Sequence, residues 1–273
     1  MKIRIKIQKP ADMGPQRLVI SVKAPRAGHV KTRLAQTIGA EAACAAYRRL
    51  VELLLKNLAQ GGAGRAATGD VELRFTPDDA LEEIQPWLRE GWRSRPQGDG
   101  DLGERLKRAC AEHFAEGCER LVIIGSDCPD VTAADIETAW ALLALNPLTG
   151  PSGTLPTNRP NLRKVLDCAS PLALWEELPP EKRQRTGAVQ DAAAPIPGDL
   201  VLGPATDGGY WLIALRAPQP ALFEGIPWST DKVLAETLAR AEKSGLTVSL
   251  LRELADVDTA EDWERLRLSN FEL

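Results

Sequence analysis

The sequence predicts an α/β protein with a largely parallel sheet and helices on both of its faces. Three observations predict it. The runs Leu18-Val19-Ile20-Ser21-Val22 and Leu121-Val122-Ile123-Ile124 have the near-continuous hydrophobicity of strands buried on both sides. Helix-length segments lie between such runs, the clearest being the alanine-rich stretch from Ala40 to Leu58. Strand and helix signals alternate along the chain instead of segregating, as successive βα units require.

Each element follows in order. The strand at 18–22 leads into Lys23-Ala24-Pro25-Arg26-Ala27-Gly28-His29-Val30-Lys31-Thr32-Arg33-Leu34, a glycine-bearing loop with four Lys or Arg cations, and a helix near 37–59 comes next. Residues 60–70, rich in Gly and Ala, read as a loop, Val71 to Phe75 as a strand and Pro77 to Arg89 as a short helix. A weak strand near Trp92, a polar Gly-Asp loop and a helix from Leu102 to Glu116 precede the buried strand at 121–124. Thr132 is an N-cap for a helix over 133–145, with Asp135 in its first turn. The pattern breaks at 147–199, where Pro and small polar residues dominate, and this stretch reads as an irregular or disordered insertion. Leu200-Val201-Leu202 and Tyr210 to Leu215 restore strands, followed by a helix near 230–244, a strand near 247–251 and a last helix from Ala260.

The chain has 273 residues and a net charge of −4. It reads as one domain over 1–273, with an N-terminal extension at 1–16 and the insertion at 147–199. The charge excludes a global electrostatic case for nucleic acid. Five cysteines, at 44, 110, 118, 128 and 168, form no C-x-x-C pair and are odd in number, which argues for a reducing compartment and against structural zinc. With only His29 and His113 a multi-histidine metal site is excluded. The start alternates apolar and basic residues and no run has the apolar length of a membrane span, so the expected location is cytoplasmic.

The basic loop is the strongest chemical signal. Between a strand end and a helix start, free N–H groups and a positive helix end meet anions, and Lys31 and Arg33 add charge-assisted hydrogen bonds. The alternative is a solvated basic turn. It is not a Walker A loop, because Val30 stands where Gly must precede Lys-Thr. Asp127 lies just past strand 121–124, where a carboxylate beside phosphates is a natural ligand for Mg²⁺ or Mn²⁺; the alternative is that Asp127 or Asp130 only shapes the turn into the next helix. Asp207-Gly208-Gly209 reads both as a hairpin turn and as a loop whose glycines let backbone approach a sugar or phosphate. In Asp256-Val257-Asp258-Thr259 the two carboxylates point the same way if extended, while Thr259 with Asp262 reads as a capping box. Asp101 and Gly103, in the loop 97–105, line a base or ribose on one reading, and on the other Asp101 is an N-cap.

Taken together these segments resemble the bacterial DUF2064 family of nucleotide-diphospho-sugar transferases with a GT-A-like fold. The resemblance is carried by Lys23-x-Pro25-x-x-Gly28-x-x-Lys31-Thr32-Arg33-Leu34, Gly100-Asp101-Leu102-Gly103-x-Arg105, Gly125-Ser126-Asp127-Cys128-Pro129-Asp130, Gly203-Pro204-Ala205-x-Asp207-Gly208-Gly209-Tyr210, Trp228-Ser229-Thr230 and Asp256-Val257-Asp258-Thr259, over 17–146 and 200–268. More distantly it is similar to 2-phospho-lactate guanylyltransferase. The resemblance implies a mainly parallel sheet with one antiparallel strand. It implies Lys23, Gly28, Lys31, Arg33, Asp101 and Gly103 on the nucleotide, and Asp127 and Asp258 at a Mg²⁺ or Mn²⁺ ion. It implies Asp207 and Asp258 as catalytic carboxylates, and Gly208, Gly209 and Tyr210 on the sugar or acceptor side. The implied activity is glycosyl transfer from a nucleoside diphosphate sugar to a small-molecule acceptor. The alternatives are nucleotidyl transfer to a phosphorylated small molecule, or nucleotide binding without turnover. A homodimer is left open.

Overall fold

The computed structural model describes residues 15–59, 70–144 and 198–270. The expectations for the N-terminal extension, the 60–70 loop and the insertion fall almost wholly outside these residues. Seven strands form one sheet: β1 (Gln16–Lys23), β2 (Asp70–Thr76), β3 (Arg93–Pro96), β4 (Arg120–Ile124), β5 (Leu200–Pro204), β6 (Tyr210–Leu215) and β7 (Val248–Leu250). Their order is β3-β2-β1-β4-β6-β5-β7. Only β6 runs against its neighbours, β4 and β5. This is the expected mainly parallel GT-A-like sheet with one antiparallel strand.

Strand β1 is central because it is apolar on both sides. Leu18 pairs in register with Val71 of β2 and Val122 of β4. Leu18, Ile20 and Val22 face a core completed by helix α2 (Ala40–Ala59) and helix α5 (Ala133–Ala144), including Tyr47, Val51, Leu54, Ile136 and Trp140. Val19 faces the other core, filled by Leu106 and Ala109 of α4 (Leu102–Ala115), Ile123, Leu202, Ile213 and Phe223. Each fully buried Leu or Ile contributes roughly 1.5–3 kcal/mol, so this three-layer sandwich rests on burial and needs no staple.

Two helices depart from expectation. The segment near 37–59 is two helices, α1 (Thr32–Ile38) and α2, separated by Gly39 at φ 87°, a left-handed backbone that Gly adopts without a Cβ clash. Helix α1 therefore begins inside the basic loop. The expected helix 77–89 shrinks to α3 (Leu81–Ile84) and a 3₁₀ turn at Gln85–Trp87. Pro86 has no N–H to donate to the preceding turn. Helices α6 (Val233–Lys243) and α7 (Ala260–Asn270) close the chain.

The polarity of the strands decides where loops gather. Because β6 is reversed, the β5–β6 turn lies at the same sheet end as the loops after β1 and β4. The Thr206 N–H donates to the Leu254 carbonyl at 3.1 Å, and the Val257 N–H to the Asp127 carbonyl at 3.0 Å, which brings in the segment after β7. At the opposite end, Gly198 donates to the Leu142 carbonyl at 3.3 Å, joining the end of α5 to the approach to β5.

Beneath α4 the second core turns polar. Glu72 is fully buried, with Arg74 Nε 2.8 Å and His113 Nε2 3.1 Å from its Oε1. Arg17 Nη1 donates to His113 Nδ1 at 2.9 Å and to Glu116 at 2.6 Å. Burial alone raises the Glu72 carboxyl, but His113 and Arg74 together hold it at about 2.

Candidate functional site

A cavity of about 510 Å³ opens at the loop-bearing end of the sheet. The basic loop contributes Lys23 and residues 29–33, β4's loop contributes Asp127, and the β5–β6 turn contributes Asp207. Asp258, Tyr47 and the segment Ser229-Thr230-Asp231 complete it. The expected residues Lys23, Lys31, Arg33, Asp127, Asp207 and Asp258 thus converge from four separate parts of the chain.

Lys31 is the centre of the arrangement. Its side chain is buried, and its Nζ pairs with Asp127 and lies 3.1 Å from Asp258 Oδ1. Burial pulls the ammonium pKa down, but Asp127 and Asp258 more than offset this, and the net shift is upward. Lys31 is also the N-cap of α1 with φ 47° and ψ 49°, a left-handed conformation costing a non-glycine residue roughly 1–2 kcal/mol. The two ion pairs hold it there. Arg33 sits exposed at the rim with Nη1 3.4 Å from Asp258 Oδ2.

Asp258 is placed by a helix cap. The Asp262 carboxylate accepts from the Asp258 N–H at 3.2 Å, the Thr259 N–H at 2.9 Å and the Thr259 hydroxyl at 2.7 Å. The capping box is therefore present, and it presents the neighbouring carboxylate to the cavity. Burial and nearby Asp207 raise the Asp256 carboxyl. Asp207 accepts from the Gly209 N–H at 2.8 Å within its turn, so the hairpin reading and a place at the cavity hold together.

Other expected residues lie off the cavity lining. Asp101 is consumed as N-cap of α4, accepting from the Glu104 N–H at 2.9 Å while its own N–H donates to Glu104 at 3.0 Å. Gly103 packs under Trp228: a Cβ there would meet the indole nitrogen at 2.4 Å. Gly208 serves close backbone approach too, since a Cβ would stand 2.2 Å from the Asp231 carbonyl oxygen. Gly28 has φ 80° with open space around it, and Gly209 closes the Asp207 turn. Tyr210 begins a strand, so its ring joins the second core and burial raises its hydroxyl pKa. Arg26, in the basic loop, turns away to Glu83 at 2.6 Å and Asp79 at 3.0 Å.

Two contributors, Tyr47 and Asp231, are not singled out by the sequence. The Tyr47 hydroxyl accepts from the Lys23 N–H at 2.8 Å and shares a 2.9 Å hydrogen bond with Ser126, tying the ends of β1 and β4 together. Its helical spacing marks it only as core. Asp231 lies in a loop without periodicity, one residue past the Trp228-Ser229-Thr230 segment.

Among the described residues no group of three or more His, Cys, Asp or Glu side chains is arranged to hold a metal unaided. Asp127 and Asp258 nevertheless converge on one cation, the Lys31 ammonium, and their hard carboxylate oxygens suit Mg²⁺ or Mn²⁺ with further ligands from phosphate and water. No helix among the described residues is long and apolar enough to cross a membrane.

The fold and the cavity define a GT-A-like α/β protein with its polar site at the carboxyl ends of the strands. The chain belongs to DUF2064, the family described as uncharacterized proteins conserved in bacteria, which matches residues 59–152 and 183–230, more than half of its length. The basic loop and Asp258 lie outside the matched residues. The chain is similar to the crystal structure of a provisionally named nucleotide-diphospho-sugar transferase from Desulfovibrio desulfuricans G20, at 27% identity and TM-score 0.69 over 95% of this chain and 89% of that one. Fainter likenesses are to a cytidylyltransferase from Leptospira borgpetersenii (10% identity, TM-score 0.46, 94% of this chain, 88% of that one). Another is to a nucleotidyl transferase from Methanothermobacter (12%, 0.46, 93% and 97%). None of the curated proteins matches the chain.

Proposed function

We propose that this protein is a metal-dependent transferase that takes a nucleoside diphosphate sugar as donor and passes the glycosyl unit to a small-molecule acceptor. One observation carries the reading: a single cavity brings Lys23, Lys31 and Arg33 together with Asp127, Asp207 and Asp258. Support also comes from the similarity to the Desulfovibrio protein, which is named for nucleotide-diphospho-sugar transfer.

The chain's own residues divide the work. Lys23, Lys31 and Arg33 bind the diphosphate and stabilise the charge it gains as the leaving group. Asp127 and Asp258 hold Mg²⁺ or Mn²⁺, which when bound supplies Lewis-acid neutralisation of that same diphosphate. The bond between the anomeric carbon and the diphosphate oxygen breaks with its electron pair leaving on the diphosphate. The acceptor oxygen forms the new bond and its proton passes to Asp207. A triphosphate needs further cations, and Arg26, the nearest spare one in the loop, is committed to Glu83 and Asp79. This favours a diphosphate donor over nucleotidyl transfer.

Incubation with nucleoside triphosphates and nucleoside diphosphate sugars in Mn²⁺ or Mg²⁺, read by mass spectrometry, tests the reading. Release of a nucleoside diphosphate with a glycosylated acceptor is expected. Pyrophosphate release with a nucleotidylated acceptor, and no diphosphate from any sugar donor, would overturn it in favour of nucleotidyl transfer.

A further inference from the structure

The loop Trp228-Ser229-Thr230-Asp231 is built into the cavity by two glycines. The Trp228 indole covers Gly103 at the start of α4, where a Cβ would meet its Nε1 at 2.4 Å. The Asp231 backbone presses on Gly208 in the β5–β6 turn, where a Cβ would meet the carbonyl oxygen at 2.2 Å, and the Leu234 N–H donates to the Gly208 carbonyl at 2.9 Å. Gly103 and Gly208 therefore act by seating this loop. Within it Ser229 adopts φ 65°, a left-handed conformation in a residue with a Cβ.

Its polar groups have separate tasks. Thr230 is spent internally: its hydroxyl donates to the Pro227 carbonyl at 2.7 Å and accepts from the Lys232 N–H at 3.3 Å. The Ser229 hydroxyl and the Asp231 carboxylate line the cavity, and neither side chain hydrogen-bonds to another described residue. Asp207 lines the same cavity, and the cavity's cations all come from the 23–33 loop. A wall of one hydroxyl and two carboxylates accepts hydrogen bonds from hydroxyl donors and repels a phosphate or carboxylate.

We infer that the Ser229–Asp231 loop is the sugar-reading wall of the cavity, with the Ser229 hydroxyl and the Asp231 carboxylate taking the hydroxyls of a neutral glycosyl unit. This rests on the donor reading above and narrows it to uncharged sugars. Charged glycosyl units, such as uronic acids, are disfavoured by the two carboxylates.

Calorimetric titration of the full chain with UDP, GDP, ADP and their glucose and mannose conjugates, with Mn²⁺ present, tests it. Two variants are compared with wild type: Asp231→Asn, and Ser229→Gly, which removes the hydroxyl while keeping the left-handed backbone accessible. Thermal unfolding of each confirms that it is folded. For whichever nucleotide wild type binds, both variants are expected to keep the diphosphate affinity within twofold and to lose at least fivefold for its sugar conjugate. UDP-glucuronate should bind wild type more weakly than UDP-glucose, and Asp231→Asn should narrow that gap. Equal losses for diphosphate and conjugate, or no loss for either, would overturn the wall. Wild type that binds none of the diphosphates would overturn the donor reading itself and the wall with it.

Discussion

The Lys31 ammonium lies 3.1 Å from an Asp258 carboxylate that is 227 positions further along the chain. The same nitrogen pairs with Asp127, so loops after β1, β4 and β7 meet on one buried cation. The loop after β1 and the segment after β7 are thereby fixed to each other at the cavity.

Lys31→Ala should weaken nucleoside diphosphate binding by about 10- to 150-fold while leaving nucleoside binding nearly unchanged. The range corresponds to losing one charge-assisted bond, roughly 1.5–3 kcal/mol. Competition titration with a matched nucleoside and diphosphate measures it. Equal losses for both ligands would make Lys31 purely structural.

Asp127→Asn should abolish the metal dependence of nucleotide binding with little change in thermal stability. The side chain is half-exposed and among the described residues its ion pair is with Lys31, so packing is scarcely disturbed. Calorimetry with and without Mn²⁺ checks it, and a variant that retained a full metal effect would remove Asp127 from the metal site.

Acid should destabilise the fold between about pH 4.5 and pH 2 through Glu72. Its folded pKa of about 2 lies below the ordinary carboxyl value of 4.5, so its contribution is complete above 4.5 and is lost as pH falls through about 2. At about 1.36 kcal/mol for each pH step, this is on the order of 3 kcal/mol. Denaturant unfolding across that range should show a steeper acid limb in wild type than in Glu72→Gln.

Replacing residues 150–197 by a short Gly-Ser linker should preserve both folding and nucleotide binding. The flanking residues Leu142 and Gly198 are hydrogen-bonded at the sheet end away from the cavity. Loss of binding in a soluble deletion variant would show that this stretch takes part in the site.

Much of the sheet was legible in the sequence, because strands such as 18–22 and 121–124 are buried on both faces and carry unbroken apolar runs. The charged half of the candidate site was legible for a related reason: Lys31, Asp127 and Asp258 each lie in the connection that follows a strand signal. What stayed hidden depends on partners distant in sequence. Nothing local shows that Arg26 turns to Glu83, that Tyr47 braces two strand ends, or that Gly103 and Gly208 seat a loop at 228–231. Tyr210 opens the strand that the sequence predicts, but nothing local shows that its ring goes into the core instead of lining the cavity.

The reversed direction of β6 has an evolutionary consequence. It adds the β5–β6 turn to the loops after the parallel strands, so the charged groups of the cavity stand on connections, apart from Lys23 at the very end of β1. Connections tolerate change far better than buried strands. Descendants of one ancestral sheet are thereby free to change what the cavity binds by rewriting a few loop positions, and the inheritance of the scaffold is uncoupled from the inheritance of the site.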